Sequence, residues 1–333
     1  MLGPRRGSFI NERTIEKILT MKARHTFLSM IVAGVLLSCI FVAAGSGDVF
    51  SALSRVTIFS MLVLVGVSVP LILVSVIKWR AFLSLFGTAP GVWRLTELYL
   101  VGYFVNLFLP SQIGGDIARS LSASQPGGKL STVICTFLER FTGLLAMVTI
   151  AAAGLLVTAQ PPLVVFVVVL FAVVVWGGAV ALWVIIPTGW IPSPRLKEQL
   201  AKMEHALSLV RKSPAVLSQS IFLSLIFHTL AVINTQTAAW AIGAPSIPFA
   251  DLFVIVPLVL ILGSVPVTPS GLGVQEGVWV FFLGQVGVSP ADSLAISLVL
   301  RAKSYLLAAV GGIVVVRDRM RGAMEQGLRN DPQ

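Results

Sequence analysis

Long stretches without a charged side chain constrain the fold of this 333-residue chain more than any other feature. About 20 apolar residues cross the hydrocarbon core of a bilayer as one helix, and most of these stretches are long enough. Charged residues make up 11% of the chain, whereas a soluble domain carries about 25%. The sequence therefore predicts an all-α polytopic membrane protein without a soluble catalytic domain. The stretches cover residues 26–47, 56–77, 98–115, 141–194, 213–250 and 252–275.

This pattern predicts about six full membrane spans. The stretch 141–194 is long enough for two of them, and Pro161-Pro162 marks the turn between the two. The first of these two begins before the stretch and covers about residues 131–158. The other four full spans are expected at about residues 26–45, 56–77, 216–243 and 291–316.

The distribution of Lys and Arg predicts how these spans are oriented. A net charge of +10 would suggest nucleic-acid binding in a soluble protein, but here the basic residues lie in loops and tails. Cytoplasmic loops of membrane proteins are enriched in Lys and Arg. We therefore expect a multi-pass protein of the cell inner membrane with no nucleic-acid partner. The arm 1–25, the segment 187–215 and the tail 317–333 are expected on the cytoplasmic side.

Two pieces of the chain do not fit as full spans once these sides are assigned. Residues 95–128 must enter and leave the membrane on the cytoplasmic side, and residues 250–290 must do so on the outer side. Both are apolar but interrupted by Pro and Gly. Non-helical backbone at membrane depth is tolerated only inside protein or beside a water-filled cavity. We therefore predict two re-entrant helical hairpins.

The two predicted hairpins share a sequence pattern. Pro110 begins PSQIGGD and Pro269 begins PSGLGVQE, so each tip has a P-S-x-[I/L]-G pattern followed by an acid. An arginine follows each acid at a similar interval: Arg140 after Asp116, and Arg301 after Glu276. The shared tip pattern and this interval predict two inverted repeats, residues 26–158 and 161–316. Inverted repeats with broken helices are typical of transporters and place the binding site at the repeat interface. Channels share this arrangement, so the pattern indicates a class and not a cargo.

Five ionisable residues near the predicted hairpins are candidates for function: Asp116, Glu139, Arg140, Glu276 and Arg301. An ionisable side chain in hydrocarbon costs at least ~2.5 kcal/mol and needs a partner or a cavity. One interpretation is mutual pairing that holds the hairpins against the following spans. The other is that Arg140 and Arg301 face a polar cavity and bind a phosphate, which suits the guanidinium group.

Other residues near the tips have expected roles in a polar path or in the turns. Arg119 is a further candidate for headgroup binding, although Arg119 and Lys303 are also expected to snorkel toward the membrane boundary. Asn106, Ser111, Gln112, Ser270 and Gln275 are candidates to line a polar path or to satisfy backbone groups at the breaks. The residues expected to shape the turns are Pro110, Gly114, Gly115, Pro269, Gly271 and Gly273.

The rest of the chain carries no signature of catalysis or metal binding. It contains no HExxH, GxSxG or nucleotide-binding glycine loop. Two cysteines and three scattered histidines do not form a metal-binding pattern. We expect no cofactor, no metal and no enzymatic activity. Residues 195–212 have an apolar face and predict an amphipathic helix on the cytoplasmic interface.

The strings NLFLPSQIGGDIARS, LERFTGLLA and PSGLGVQEG resemble the lysylphosphatidylglycerol synthase transmembrane-region family, also called flippase-like or UPF0104-type. The resemblance covers residues 27–316. Family members with a fused cytosolic aminoacyltransferase domain make and flip aminoacyl lipids. Only 17 residues follow the last predicted span here, so the resemblance does not imply a synthase. It implies functional importance for Asn106, Pro110, Gly114, Gly115, Asp116, Arg119, Glu139, Arg140, Pro269, Gly271, Gly273 and Glu276.

Together these features predict a lipid flippase or lipid-handling transporter. Its cargo is expected to be a phospholipid, a glycolipid or a polyprenyl- or hopanoid-type lipid. Two alternatives stay open: a membrane-embedded transferase, and a non-transporting partner in lipid-linked glycan or hopanoid biosynthesis. The expected partners are membrane lipids, with a lipid-modifying enzyme or a glycosyltransferase as a further candidate.

Overall fold

The computed structural model describes residues 23–87, 90–109, 112–124, 128–184, 201, 204–205, 207–265 and 267–330. All regular secondary structure in these residues is helical, which confirms the predicted all-α class. A short 3-10 turn, Pro269–Gly271, separates α9 from α10. The helices are α1 (Ala23–Ala43), α2 (Ser46–Ser54), α3 (Ile58–Leu85), α4 (Val92–Asn106), α5 (Gln112–Ala123), α6 (Lys129–Gly154), α7 (Pro162–Val184), α8 (Pro214–Ala241), α9 (Phe249–Leu262), α10 (Val274–Gly284) and α11 (Pro290–Asn330).

Five of the described helices are long and apolar enough to cross a membrane: α3, α6, α7, α8 and α11. A sixth crossing is possible if residues Met30–Ala43 of α1 and helix α2 form one span bent by 90°. The bend lies at Gly45, whose φ of 84° is in the left-handed region that glycine adopts without strain. The break between α6 and α7 covers residues 155–161, so the predicted Pro161-Pro162 turn lies at its end and Pro162 begins α7. The chain is therefore a polytopic membrane protein.

Four short helices occupy the two pieces predicted to be re-entrant. Helices α4 and α5 have 15 and 12 residues, and α9 and α10 have 14 and 11. None of them reaches the roughly 20 residues that a full crossing requires. The re-entrant path and the inverted repeat stay predictions, and the short paired helices are compatible with both.

Helix α3 packs along α8, and α11 packs along α4, so elements of the two halves interdigitate. Gly311 of α11 lies so close to the Leu100 carbonyl of α4 that a Cβ would overlap it. Large apolar side chains of α7, including Phe166 and Trp176, are exposed, as expected for a helix that faces lipid. Of the predicted amphipathic segment, residues 207–211 are helical, while 195–200 lie outside the described residues.

Candidate functional site

The first pair of short helices is held together by two glycines and an asparagine. The Asn106 side-chain oxygen, at the end of α4, accepts a hydrogen bond from the Gly115 N–H at 2.8 Å. Asn106 therefore satisfies a backbone group near the helix break, one of its two expected roles. Gly114 and Gly115 do not shape a turn, and that prediction was wrong: both lie inside α5. A Cβ on Gly115 would overlap the Gly102 carbonyl of α4, so its role is to allow close helix packing.

Asp116 of α5 links the short helix pair to the following span. Both of its oxygens accept hydrogen bonds from Arg140 of α6, at 2.9 and 2.8 Å. Arg119, one turn further along α5, donates to the same carboxylate at 3.0 Å. A bidentate guanidinium–carboxylate pair fixes both orientation and distance. The predicted pairing of Asp116 with the arginine of the next span is confirmed.

Arg119 lies inside the protein, and the expectation that it snorkels to the membrane boundary was wrong. Its side chain is 1% exposed and lies between the rings of Trp79 and Tyr99, at 4.5 and 4.3 Å from their centroids. It also donates to Glu139 of α6 at 2.7 Å. The two aromatic faces and two carboxylates compensate the cost of burying this cation.

Lys78 of α3 completes this buried cluster, and sequence reasoning missed it. It follows an uncharged stretch and reads as a boundary lysine, yet it lies within α3 with its Nζ 3.6 Å from Glu139. It also donates to Ser224 of α8 at 3.1 Å. Nothing in the sequence indicates that Lys78 is buried in the cluster, because its place after an uncharged stretch suggests the end of a span, whereas α3 continues to Leu85.

These five charged groups, which we call the cationic cluster, carry one excess positive charge. Three are cations and two are carboxylates: Lys78, Arg119, Arg140, Asp116 and Glu139. Only Arg140 is well exposed, at 43% of its side chain, compared with 16% for Asp116. The excess charge therefore reaches the protein surface at Arg140.

The second tip is a tight turn between α9 and α10. Ser270, Gly271 and Gly273 have φ values of 54°, 66° and 80°, so both glycines shape the turn as predicted. Pro269 is buried in the 3-10 turn. Glu276 caps α10, because its carboxylate accepts a hydrogen bond from the Gly273 N–H at 2.7 Å.

Arg301 of α11 clamps this second tip. Its Nε donates to Glu276, and its other nitrogens donate to the carbonyls of Ser270 and Gly271, at 3.1 and 3.3 Å. A further contact, at 3.3 Å, reaches the Gln275 side-chain oxygen. The Arg301 side chain is only 8% exposed. Each predicted acid thus pairs with the arginine of the following span, but Arg301 is enclosed by its partners, whereas Arg140 is not.

The two tips meet at a backbone hydrogen bond. The Ser270 N–H donates to the carbonyl of Leu109, just before the first tip, at 3.1 Å. Pro110 and Ser111, two of the predicted tip residues, lie outside the described residues. The contact places the breaks of the two helix pairs next to each other, at residues that are partly exposed.

Lys303, like Arg119, was wrongly expected to snorkel. It lies near the middle of the α11 span Pro290–Met320 and donates to the side-chain oxygen of Asn234 at 2.9 Å. The amide nitrogen of Asn234 in turn donates to Ser68 Oγ, at 3.0 Å, and to the Leu64 carbonyl, at 3.2 Å. The contact partners of Lys303 are therefore inside the helix bundle.

Several long apolar helices, with pairs of short helices bound to them by ion pairs, define a polytopic, all-helical membrane protein. The sequence profile of the lysylphosphatidylglycerol synthase TM region matches residues 27–312. The chain belongs to this family.

Two curated relatives are UPF0104 membrane proteins of Methanothermobacter thermautotrophicus. One is 22% identical over 325 residues, covering 88% of this chain and 95% of the relative. The other is 22% identical over 338 residues, covering 92% and 96%. Their similarity therefore extends over the whole membrane region.

Proposed function

We propose that this protein is a lipid flippase or lipid-handling transporter whose headgroup site is centred on Arg140. The observation that carries the proposal is the excess positive charge of the cationic cluster, which reaches the surface at Arg140, whose side chain is 43% exposed. An ionisable group at membrane depth is costly and marks a functional site by default. A lipid phosphate is the anion that the surrounding membrane supplies, from its headgroup layer.

The neighbouring structure supports movement of such a headgroup. The Leu109–Ser270 contact joins two breaks in the helices at one place. Freed backbone groups there provide polar partners within the hydrocarbon region. A headgroup that leaves Arg140 would meet these groups instead of acyl chains.

Arg140 and Arg301 have different roles in this proposal. Arg301 holds the second tip, since Glu276 and two carbonyls occupy its nitrogens. Arg140 donates its hydrogen bonds to one partly exposed carboxylate, Asp116, with Glu139 at 4.0 Å, and can exchange part of this pairing for a phosphate. The first arginine is thus the binding residue, and the second is a positioning residue.

We further propose the inner membrane as the location, with both termini in the cytoplasm. A phospholipid, a glycolipid or a polyprenyl- or hopanoid-type lipid is the proposed cargo. A lipid-modifying enzyme or a glycosyltransferase is the proposed protein partner, because the chain itself carries no catalytic motif.

The test is lipid movement in vesicles that contain the purified protein. Fluorescently labelled phosphatidylglycerol is incorporated, and a membrane-impermeant reductant reports the outer-leaflet fraction over time. We expect Arg140→Ala to slow movement roughly tenfold to hundredfold, since a hydrogen bond to a charged group contributes about 1.5–3 kcal/mol. Arg140→Lys should restore only part of the rate, because an ammonium cannot form the planar bidentate contact.

Arg319→Ala is the matched control, since Arg319 is an exposed arginine of α11 that does not belong to the cationic cluster. It should leave the rate unchanged. Equal rates in wild type and Arg140→Ala, at equal amounts of folded protein, would refute Arg140 as the headgroup residue. Wild-type protein that moves no labelled lipid but turns it over chemically would favour the transferase alternative.

A further inference from the structure

A line of buried polar side chains runs along the interface between α3 and α8. On α8 these residues share one face and are at most 3% exposed: Ser220, Ser224, His228 and Asn234. Ser68 and Lys78 meet this face from α3. We call this line the polar seam. Asn234 lies ten positions after Ser224, a rise of ~15 Å at 1.5 Å per residue, which is about half of the ~30 Å hydrocarbon core.

The two ends of the polar seam carry different basic groups. At one end Lys78 contacts Ser224 and pairs with Glu139. At the other end Lys303 donates to Asn234, which bonds to α3. Within the described residues, Lys303 pairs with no carboxylate. Arg301, its charged neighbour on α11, donates a hydrogen bond to Glu276 instead.

His228 lies between these two ends. It is 1% exposed, and its Nε2 is 3.1 Å from the Gly143 carbonyl of α6. Its Nδ1 has no hydrogen-bond partner among the described residues. Structural histidines in apolar surroundings usually satisfy their polar atoms. A buried imidazole with one unpartnered nitrogen, between the buried Lys78 and the partly exposed Lys303, is arranged to accept and release a proton.

We propose that the polar seam conducts protons, with Lys303 as a proton-exchange residue, and that this proton movement drives the proposed lipid movement. This inference rests on the proposed function. A proton from water on one side binds the neutral Lys303 amine, moves to His228 and then to the Glu139 carboxylate, and is released on the other side. Each step transfers one proton between two bases, and water must bridge them, because among the described residues Lys303 contacts Asn234 and His228 contacts the Gly143 carbonyl rather than each other or Glu139. A lysine fits this role because its ammonium can lose its proton within the protein, which a guanidinium does not.

The cationic cluster provides the coupling to the headgroup site. Glu139 faces Lys78 and Arg119 directly, and Arg140 Nε lies at 4.0 Å from it. A proton on Glu139 removes one of the two carboxylate charges, so the excess positive charge of the cluster rises from one to two. An anionic headgroup at Arg140 is then held more tightly. Loss of the proton reverses this change and favours release.

The test uses vesicles of phosphatidylethanolamine and phosphatidylglycerol with labelled phosphatidylglycerol and an entrapped pH-sensitive dye. The membrane potential is clamped, and a gradient of about one pH unit is applied or omitted. Wild-type protein should admit protons, and its lipid movement should respond to the gradient by up to about tenfold, which is about 1.4 kcal/mol per proton. Lys303→Met and Lys303→Arg should both move lipid at a rate independent of the gradient, since neither side chain exchanges a proton.

Lys212→Met is the matched control, because Lys212 is exposed and lies outside the polar seam. It should respond to the gradient as the wild type does. Lys303→Met leaves the buried Asn234 side-chain oxygen without its donor and should unfold at a lower temperature than wild type, so rates are compared at equal amounts of folded protein. If Lys303→Met keeps the gradient response, or if the wild type shows none, the inference is wrong.

The two readouts separate this inference from the proposed function. If the wild type moves no labelled lipid under either condition, the proposed function fails. The dye then decides the inference: proton entry that Lys303→Met abolishes supports the seam. Proton entry that is absent, or unchanged by Lys303→Met, overturns it.

Discussion

Replacing Arg301 by alanine should strongly destabilise the protein. The substitution leaves the Glu276 carboxylate, which is 0% exposed, without its cationic partner. Removing one partner of a buried ion pair costs about 3–5 kcal/mol, because the remaining charge stays buried and uncompensated. Arg140→Ala removes a 43% exposed partner of a partly exposed carboxylate, and exposed pairs contribute about 0–1 kcal/mol. The two arginine variants should therefore differ clearly in stability.

Thermal unfolding in detergent, followed by intrinsic fluorescence, measures this difference. The unfolding entropy of about 2.1 cal/mol/K per residue gives about 1.4 °C per kcal/mol for 333 residues. Arg301→Ala should therefore lower the unfolding temperature by roughly 5 °C. Adding Glu276→Gln to this variant should recover part of the loss. The glutamine removes the uncompensated charge and keeps an oxygen that can accept from the Gly273 N–H.

Two results would refute this reasoning. One is an equal loss of unfolding temperature in Arg301→Ala and Arg140→Ala, which would mean that enclosure does not determine the contribution of each pair. The other is a double variant, Arg301→Ala with Glu276→Gln, that is no more stable than Arg301→Ala alone. The uncompensated charge of Glu276 would then not be the cause of the lower unfolding temperature.

Two further predictions concern packing and topology. Gly115→Ala should lower the free energy of unfolding by about 1–3 kcal/mol, as overpacking does, because its Cβ would overlap the Gly102 carbonyl. Gly66→Ala is the control, since a Cβ there meets nothing within 4 Å. Equal unfolding temperatures for the two variants would contradict the close α4–α5 contact. Single cysteines in place of Gln160 and His205, in a chain without native cysteines, should react with an impermeant maleimide from outside and inside respectively. Labelling of both from the same side would rule out the two-hairpin topology.

The pairing of each acid with a later arginine could be predicted from the sequence. Asp116 and Arg140 are 24 residues apart, and Glu276 and Arg301 are 25 apart. The interval between acid and arginine is nearly the same in both pairs, and a broken helix precedes each arginine. The acid at the break can therefore reach the arginine of the long helix that follows. The uncharged stretches likewise predicted the long spans, because membrane crossing depends on local composition.

The contacts between distant helices could not be predicted in this way. The bond between Lys303 and Asn234 joins residues 69 positions apart, and the bond between Lys78 and Ser224 joins residues 146 positions apart. Which face of each helix meets another depends on packing of the whole bundle, and no local pattern records it. For the same reason, Gly115 appeared to be a turn residue when its role is contact with another helix.

The position of Arg119 over Trp79 has a consequence for spectroscopy. The indole ring is fully buried and lies 4.5 Å from a guanidinium that also bonds to two carboxylates of the cationic cluster. Indole emission responds to nearby charge, so this tryptophan is an intrinsic optical probe of the cluster. The difference between the spectra of wild type and Trp79→Phe isolates its signal from the other six tryptophans. Binding of an anion at Arg140 can thus be followed in the unlabelled protein.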